Sequence, residues 1–272
     1  GNAYRINDEL PEAERAMGIA EERWRQGTGN LFLLARVADL RASLLSTQRL
    51  FSDACELLGG IHRLYLKLGD SHLAGRALVS QGIYTDYGGE PHPAMKLLRK
   101  GLALLDRSRD PELVLSATEN LLELMARCGE YREAARVLME SGLRQAFAGQ
   151  PLNLMKLRWV EGQILAGLGK LDRAEAAFEE ARDGLLEHDL GYRAAIAGLD
   201  LAAVWLERGK AAQVEELAKD MLATFRRLGI QREALLAVGY LNKACEAREA
   251  TPGLVRRIGQ FLRRLEHDPQ LR

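Results

Sequence analysis

The glycines and the lysine of the segment GQILAGLGK, residues 162–170, match part of the pattern of a phosphate-binding loop. Such a loop needs the spacing G-x-x-x-x-G-K-[ST], in which the hydroxyl side chain holds magnesium. Here Gly162 and Lys170 are wrongly spaced, and Leu171 follows the lysine. The hydrophobic pattern also puts the segment at a turn between two helices, whereas a phosphate-binding loop follows a strand. The segment therefore predicts a helical turn and no nucleotide site.

Catalytic and metal-binding patterns are missing from the rest of the sequence as well. It contains no H-E-x-x-H, no G-x-S-x-G and no dinucleotide fingerprint, and none of its histidines pair at i, i+4 spacing. Cys55, Cys128 and Cys245 are far apart and lack C-x-x-C spacing, which indicates reduced, mostly buried thiols. We therefore expect a protein that is not an enzyme, with no catalytic residues, no metal site and no cofactor.

Non-covalent recognition is the chemistry that remains, and charged, amide and aromatic side chains at helical spacing can provide it. Asn and Arg can pair with the amides of an extended peptide, while Tyr and Trp offer rigid apolar contact. We predict that one peptide-binding surface carries Arg36, Asp39, Arg76, Tyr87, Asn120, Glu123, Arg127, Lys156, Trp159 and Gln163. The alternatives are a solvated surface that binds nothing, or one covered by another part of the same protein.

The elements that position these side chains repeat with a period of about 40 residues, a length typical of helical-repeat arrays. Turn glycines recur at this period, and a small or apolar residue follows each of them by five positions. The two sets are Gly89, Gly129, Gly169 and Gly209, and Ala94, Ala134, Ala174 and Val214. Apolar residues at helical spacing precede and follow each glycine, so each unit is predicted to be a pair of amphipathic helices. The fold class is therefore predicted to be all-α.

One stretch of the array resembles a tetratricopeptide repeat (TPR), namely GQILAGLGKLDRAEAAFEEA at residues 162–181. Gly162, Gly169, Ala174, Phe178 and Ala181 fall on that family's small, turn, small, aromatic and small positions. The resemblance extends over essentially the whole chain and is weakest at residues 235–266. It implies a right-handed superhelical α-solenoid of antiparallel helix pairs, whose first helices line a concave face. The ten candidate residues lie on predicted first helices, so the resemblance places them on that face.

The length of the units distinguishes this array from a typical TPR, whose unit has about 34 residues. Because the units of this chain are longer, we expect extra helical turns or longer links. Long units resemble the arrays of bacterial signal-responsive regulators of the MalT-like group. The leading hypothesis is a non-enzymatic scaffold that binds a protein or peptide on its concave face. The alternative is the ligand- or peptide-sensing half of a bacterial transcriptional regulator or signalling ATPase, with its output domain upstream.

We expect a single TPR-like array over residues 1–272 that ends in a capping helix over residues 252–266. The units are predicted near 1–30, 31–70, 71–110, 111–150, 151–190, 191–229 and 230–250. In the capping helix, one face is apolar (Leu254, Ile258, Phe261, Leu262 and Leu265) and the other is basic (Arg256, Arg257, Arg263 and Arg264). A solenoid needs such a helix because no further unit covers its end.

The first residues, GNAYRIND, are typical of the second half of a first helix. We therefore expect the chain to be the downstream part of a longer protein. A contact with an upstream domain of the same protein is then possible.

The charge balance argues against two classes of partner. Lys and Arg together number 38, as do Asp and Glu, so no net charge attracts nucleic acid or an anionic membrane. No apolar run reaches the roughly 18–20 residues of a membrane helix. We expect a cytoplasmic protein whose partner is a protein or an extended peptide segment, with no direct nucleic-acid binding by this region.

Overall fold

The computed structural model describes residues 2–27, 29–230 and 232–267, and all regular secondary structure in these ranges is α-helical. Consecutive helices pack against one another, which confirms the all-α prediction. The helices are α1 Asn2–Ile6, α2 Leu10–Arg25, α3 Leu31–Thr47, α4 Phe51–Lys67, α5 Ser71–Tyr87, α6 Pro91–Leu104, α7 Pro111–Arg127, α8 Tyr131–Glu140, α9 Leu143–Ala146, α10 Pro151–Gly167, α11 Leu171–Glu187, α12 Gly191–Glu207, α13 Ala211–Arg227, α14 Arg232–Glu246 and α15 Pro252–His267.

The repeat period is made of two equal halves. Apart from the short α9, every helix from α3 to α13 begins half a period after the one before it, as the starts at Leu31, Phe51 and Ser71 show. Most of these helices have 17 residues, and three-residue links join most of them. The residues that exceed a typical TPR unit therefore lie in longer helices and not in longer links. Residues one period apart occupy the same place on equivalent helices.

Each three-residue link turns at a residue with left-handed backbone. The predicted turn glycines Gly89, Gly129, Gly169 and Gly209 have φ of 89°, 80°, 73° and 74°. After Gly169, the Lys170 N–H donates to the Leu165 carbonyl at 2.9 Å, a bond over five residues that closes the helix end. Where the glycine is missing, Arg49 and Asp189 adopt φ of 62° and 57°, and the N–H of the next residue makes the same kind of bond.

The fourth repeat unit, predicted near residues 111–150, departs from this regular pattern. Here α8 ends after ten residues, and the short helix α9 comes after it. Gly142 separates the two with φ of 69°, and Leu143 directly after it is fully buried. A left-handed glycine inside the segment thus ends the helix early, because glycine turns the chain at little steric cost and a buried leucine anchors the start of α9.

The helices form two compact units, each made of several repeat units. The first unit is Gly1–Cys128 and the second unit is Gly129–Arg272. In the second unit one hydrophobic cluster extends from α10 to α15, whereas the first unit contains smaller separate clusters. The single continuous array over residues 1–272 stays a prediction. None of the helices in the described ranges combines the length and the apolar character needed to cross a bilayer.

The contact between α10 and α11 shows how the two helices of one repeat unit pack. Phe178 on α11 is buried, and Ala174 and Ala181 beside it are fully buried, as the TPR-like spacing predicts. Gly162 on α10 lies so close to the ring that a Cβ at this position would be 2.7 Å from two carbons of Phe178. The small residue and the aromatic ring therefore fill one another's space.

The link between α12 and α13 is fixed by a carboxylate on α11. Glu175 is buried and accepts hydrogen bonds from Trp205 Nε1 at 2.9 Å and from Lys210 Nζ at 2.6 Å, and it also pairs with Arg208. Burial raises the pKa of this carboxyl, but the bonds from Lys210 and Trp205 together with the charges of Arg208 and Lys210 outweigh burial and hold the pKa below its ordinary value. The ionised form therefore stabilises the folded unit.

Gly162→Ala should lower the free energy of unfolding by about 1–3 kcal/mol, because the added methyl overlaps a buried ring. The matched control is Gly239→Ala on α14, where the nearest atom, Leu222 Cδ2, is 4.0 Å from the added methyl. That variant should gain about 0.5–1 kcal/mol from helix propensity. Chemical denaturation followed by circular dichroism measures both changes. Equal stability of the two variants would contradict this packing.

Glu175→Gln should lower stability at neutral pH by on the order of 2 kcal/mol, because charge-assisted hydrogen bonds are lost. A carboxyl whose folded pKa is lowered contributes stability above its unfolded pKa and loses it on acidification. The wild-type protein should therefore lose more stability than the variant as the pH falls below about 4.3. Denaturation curves between pH 7 and pH 3 test this, with Glu216→Gln on the exposed side of α13 as control. Parallel pH profiles for wild type and Glu175→Gln would refute it.

Candidate binding site

All ten candidate residues lie on the first helices of their pairs. Seven belong to the first unit, on α3, α5 and α7, and Lys156, Trp159 and Gln163 belong to α10 of the second unit. The predicted peptide-binding surface therefore draws on both units, with Asn120 and Arg127 in the first. That joint site stays a prediction.

In the first unit, charges converge around Asp39. Burial raises the pKa of this carboxyl, and the neighbouring guanidinium groups of Arg76 and Arg36 oppose the shift. Burial, and then the charge of Asp39, raise the pKa of the Tyr65 phenol on α4. Two guanidinium groups beside one carboxylate can hold a further anionic group, such as an acidic side chain.

Arg127 and Tyr87 have partners inside the first unit. Arg127 Nη1 donates to Asp86 Oδ2 at 2.8 Å, which joins the ends of α7 and α5. The Tyr87 ring packs edge-on against Phe51, with centroids 5.7 Å apart, and remains partly exposed. Asn120 and Glu123 are half-buried on α7. Arg127 is thus held in place by a carboxylate, and Tyr87 keeps part of its ring open to contact.

In the second unit, Trp159 and Gln163 meet at Asp200 on α12. Asp200 Oδ2 accepts hydrogen bonds from Trp159 Nε1 at 2.8 Å, from Gln163 Nε2 at 2.9 Å and from Arg263 Nη2 at 2.6 Å. The Arg263 guanidinium also lies 5.7 Å from the centroid of the Trp159 ring, in cation–π range. We call these four residues, Trp159, Gln163, Asp200 and Arg263, the Asp200 cluster. Lys156 lies half-buried on the same helix as Trp159.

Arg263 belongs to α15, which corresponds to the predicted capping helix. The apolar side of α15 is buried and contacts α12 more extensively than α14, its neighbour in sequence. The four arginines do not share one solvated face as predicted. Arg263 bonds Asp200 and Arg256 bonds Glu207, because both basic side chains reach carboxylates on α12.

An apolar surface on α12 explains why α15 lies there. One period after Lys156, Trp159 and Gln163 come Ile196, Leu199 and Ala203, all buried. These three belong to the same hydrophobic cluster as the buried side of α15, which consists of Val255, Ile258, Leu262 and Leu265. Where α10 carries polar and aromatic side chains, α12 is therefore apolar and is covered by a helix of the same chain.

Sequence reasoning missed Asp200 and Glu207, although a signal for both exists. Asp200 is the only charged residue between Arg193 and Glu207 in an otherwise apolar helix. Moreover, Asp200 and Glu207 lie two periods after Asn120 and Arg127, which were predicted to bind. Extending the register of the candidate residues by two periods would have found the two carboxylates that hold α15.

No protein-family model matches this chain, and no curated protein matches it in sequence.

The Asp200–Arg263 pair should show a coupling energy of about 1–3 kcal/mol in a double-mutant cycle built from Asp200→Asn and Arg263→Gln. Both side chains are largely buried, with 18 % and 20 % exposure. The matched control is the Glu207–Arg256 pair, cycled as Glu207→Gln and Arg256→Gln, whose side chains are 32 % and 57 % exposed. That pair should couple by less than about 1 kcal/mol. Equal coupling in both cycles would show that Asp200 is not the main anchor of α15.

Proposed function

We propose that this chain is a non-enzymatic helical-repeat scaffold that binds a protein segment on the inner face of its first helices. The proposal includes a TPR-like winding of antiparallel helix pairs into a right-handed superhelix, with the first helices on the concave side. One observation carries it. The positions on α12 that hold α15, Asp200 and Glu207, are equivalent by repeat register to Asn120 and Arg127 on α7.

The repeat register relates the positions on α12 that bind α15 to the equivalent positions on α7. On α12, two polar residues seven positions apart lie two turns apart on one side of the helix, and each bonds one arginine of α15. On α7, Asn120 and Arg127 have the same spacing. A segment on α7 would thus meet the amide of Asn120 where α15 meets Asp200, and the Arg127–Asp86 ion pair where α15 meets Glu207.

The remaining candidates of the first unit support the same partner. Arg36 and Arg76 stand one period apart on α3 and α5, and the charge of each lowers the pKa of the Asp39 carboxyl against the effect of burial. Tyr87 offers a partly open ring for an apolar contact. A segment of mixed charge, with acidic side chains and one apolar anchor, is the partner that these groups fit.

Peptide selection tests this function. Random peptides displayed on phage are selected against the full chain, and labelled synthetic copies are titrated by fluorescence anisotropy. Selected peptides should carry acidic residues. Arg76→Ala should weaken their binding by about tenfold, because a charge-assisted bond is lost, and Asn120→Ala by about fivefold.

The control for this titration is Arg63→Ala, which removes an exposed arginine on the second helix α4 and should leave affinity unchanged. Circular dichroism verifies that each variant is folded. Selected peptides that bind the folded Arg76→Ala/Asn120→Ala protein as tightly as wild type would rule out the first-unit face. Recovery of no binding peptide would count against the scaffold itself.

A further inference from the structure

The contact between α15 and α12 resembles that of a bound helical ligand, with an apolar contact flanked by polar ones. Arg256 pairs with Glu207 and Arg263 with Asp200, so the residue numbers rise along one helix as they fall along the other. The two helices therefore run in opposite directions. A third polar contact lies near Arg263, where the Tyr192 hydroxyl donates to the Leu262 carbonyl at 2.6 Å. Polar contacts thus lie at both ends of the apolar contact between α12 and α15, which we call the apolar seam.

A short connection joins α14 to α15, and Ala250 within it packs against the hydrophobic cluster that both helices share. Five residues, 247–251, join the two helices, and α15 makes its larger contact with α12. The Thr251 hydroxyl accepts the Leu254 N–H at 3.2 Å and so caps the helix from within its own segment. As a result α15 carries its own cap, its own apolar side and its own arginine anchors.

On the receptor side, Asp200 keeps hydrogen-bond donors when α15 leaves. Asp200 Oδ2 keeps the hydrogen bonds from Trp159 and Gln163, which come from α10 and not from α15. A buried carboxylate stripped of all its donors would be costly, whereas one that keeps two donors tolerates the loss of the third. Trp159, Gln163 and Asp200 are therefore preorganised to receive an arginine from whichever helix presents it.

We propose that the surface of α10 and α12 is a receptor for an arginine-bearing amphipathic helix of a partner protein, and that α15 is its built-in competitor. The partner helix has apolar residues at the spacing of those on the buried side of α15, with an arginine directly after the third of them, as Arg263 follows Leu262. Charge complementarity carries this choice, because Asp200 and Glu207 select basic side chains at the two ends of the seam. The inference rests on the proposed function, since it assigns a partner to the inner face in the second unit.

Competition between α15 and a peptide in solution tests the proposal. The probe is a fluorescein-labelled synthetic peptide with the sequence of residues 251–265, titrated into the full chain and followed by anisotropy. Wild type should bind it weakly, because a tethered α15 acts at an effective concentration in the millimolar range. Arg263→Gln in the full chain weakens the built-in helix and should tighten binding of the probe by about tenfold or more.

Two matched controls separate recognition of the arginine from general stickiness. The probe carrying Arg263→Gln should gain no affinity for the variant chain, because it lacks the anchor itself. Arg257→Gln in the full chain removes an exposed arginine of α15 and should leave probe binding at the wild-type level. Equal binding of both probes would overturn the arginine-based recognition.

A second variant keeps the test decisive if Arg263→Gln does not fold. A protease site in place of residues 247–250 lets the tether be cut after folding, and the labelled probe should then exchange with the released helix. A released helix that stays bound without exchange would show that α15 is a fixed cap and overturn the proposal. Dimers of the wild-type chain at these concentrations, seen by light scattering, would assign the receptor to a second copy instead and also overturn it.

These outcomes are independent of the peptide selection on the first unit. That selection reports on α5 and α7, whereas probe exchange reports on α10, α12 and α15. Failure of exchange with successful selection would refute the competitor role of α15 alone.

Discussion

The hydrogen bond that closes the helix end at most of the three-residue links determines much of what this chain can do. At links such as residues 168–170 and 208–210, the N–H after the left-handed residue donates to the carbonyl five residues earlier, at 2.9 and 2.8 Å. Where 17-residue helices alternate with these three-residue links, helix starts stay half a period apart and positions one period apart remain equivalent. The placement of polar residues on the first helices depends on this register. Without it, the likeness of Asn120 and Arg127 to Asp200 and Glu207 would have no geometric meaning.

Buried carboxylates form the second organising principle, and they are concentrated in the second unit. Glu175 accepts hydrogen bonds from the end of α12 and from the link after it. Asp200 accepts them from α10 and α15, and Glu161 pairs with Arg158 and Arg144. Where such a group would be left without donors, removing its partner costs more than the pair contributes, since a desolvated charge is left behind. These carboxylates therefore fix which helices are neighbours, while the small and aromatic residues supply the packing energy.

Local patterns made much of the fold predictable. The turn glycines and the helical content each depend on residues near in sequence, so the repeat period predicted them correctly, whereas the Gly162–Phe178 contact appeared only in the structure. The break at Gly142 escaped prediction because a glycine within a helix and a glycine that ends it look alike in sequence. The Asp200–Arg263 pair escaped because it joins residues 63 positions apart, outside the nearest-neighbour order of the array. The site was therefore predictable only in part: Trp159 and Gln163 were named, but neither the carboxylate that they bond nor the helix that covers it.

The exposed pair Leu236 and Tyr240 on α14 bears on how this array can be engineered. Four residues apart on a helix, the two side chains share one side and form a small apolar strip. Repeat proteins lengthen in one dimension, by laying a new helix pair on the flank of the last one. Since α15 lies against α12, its position leaves this strip uncovered. A designed repeat could therefore pack against the strip on α14. The added repeat and α15 would then occupy different surfaces.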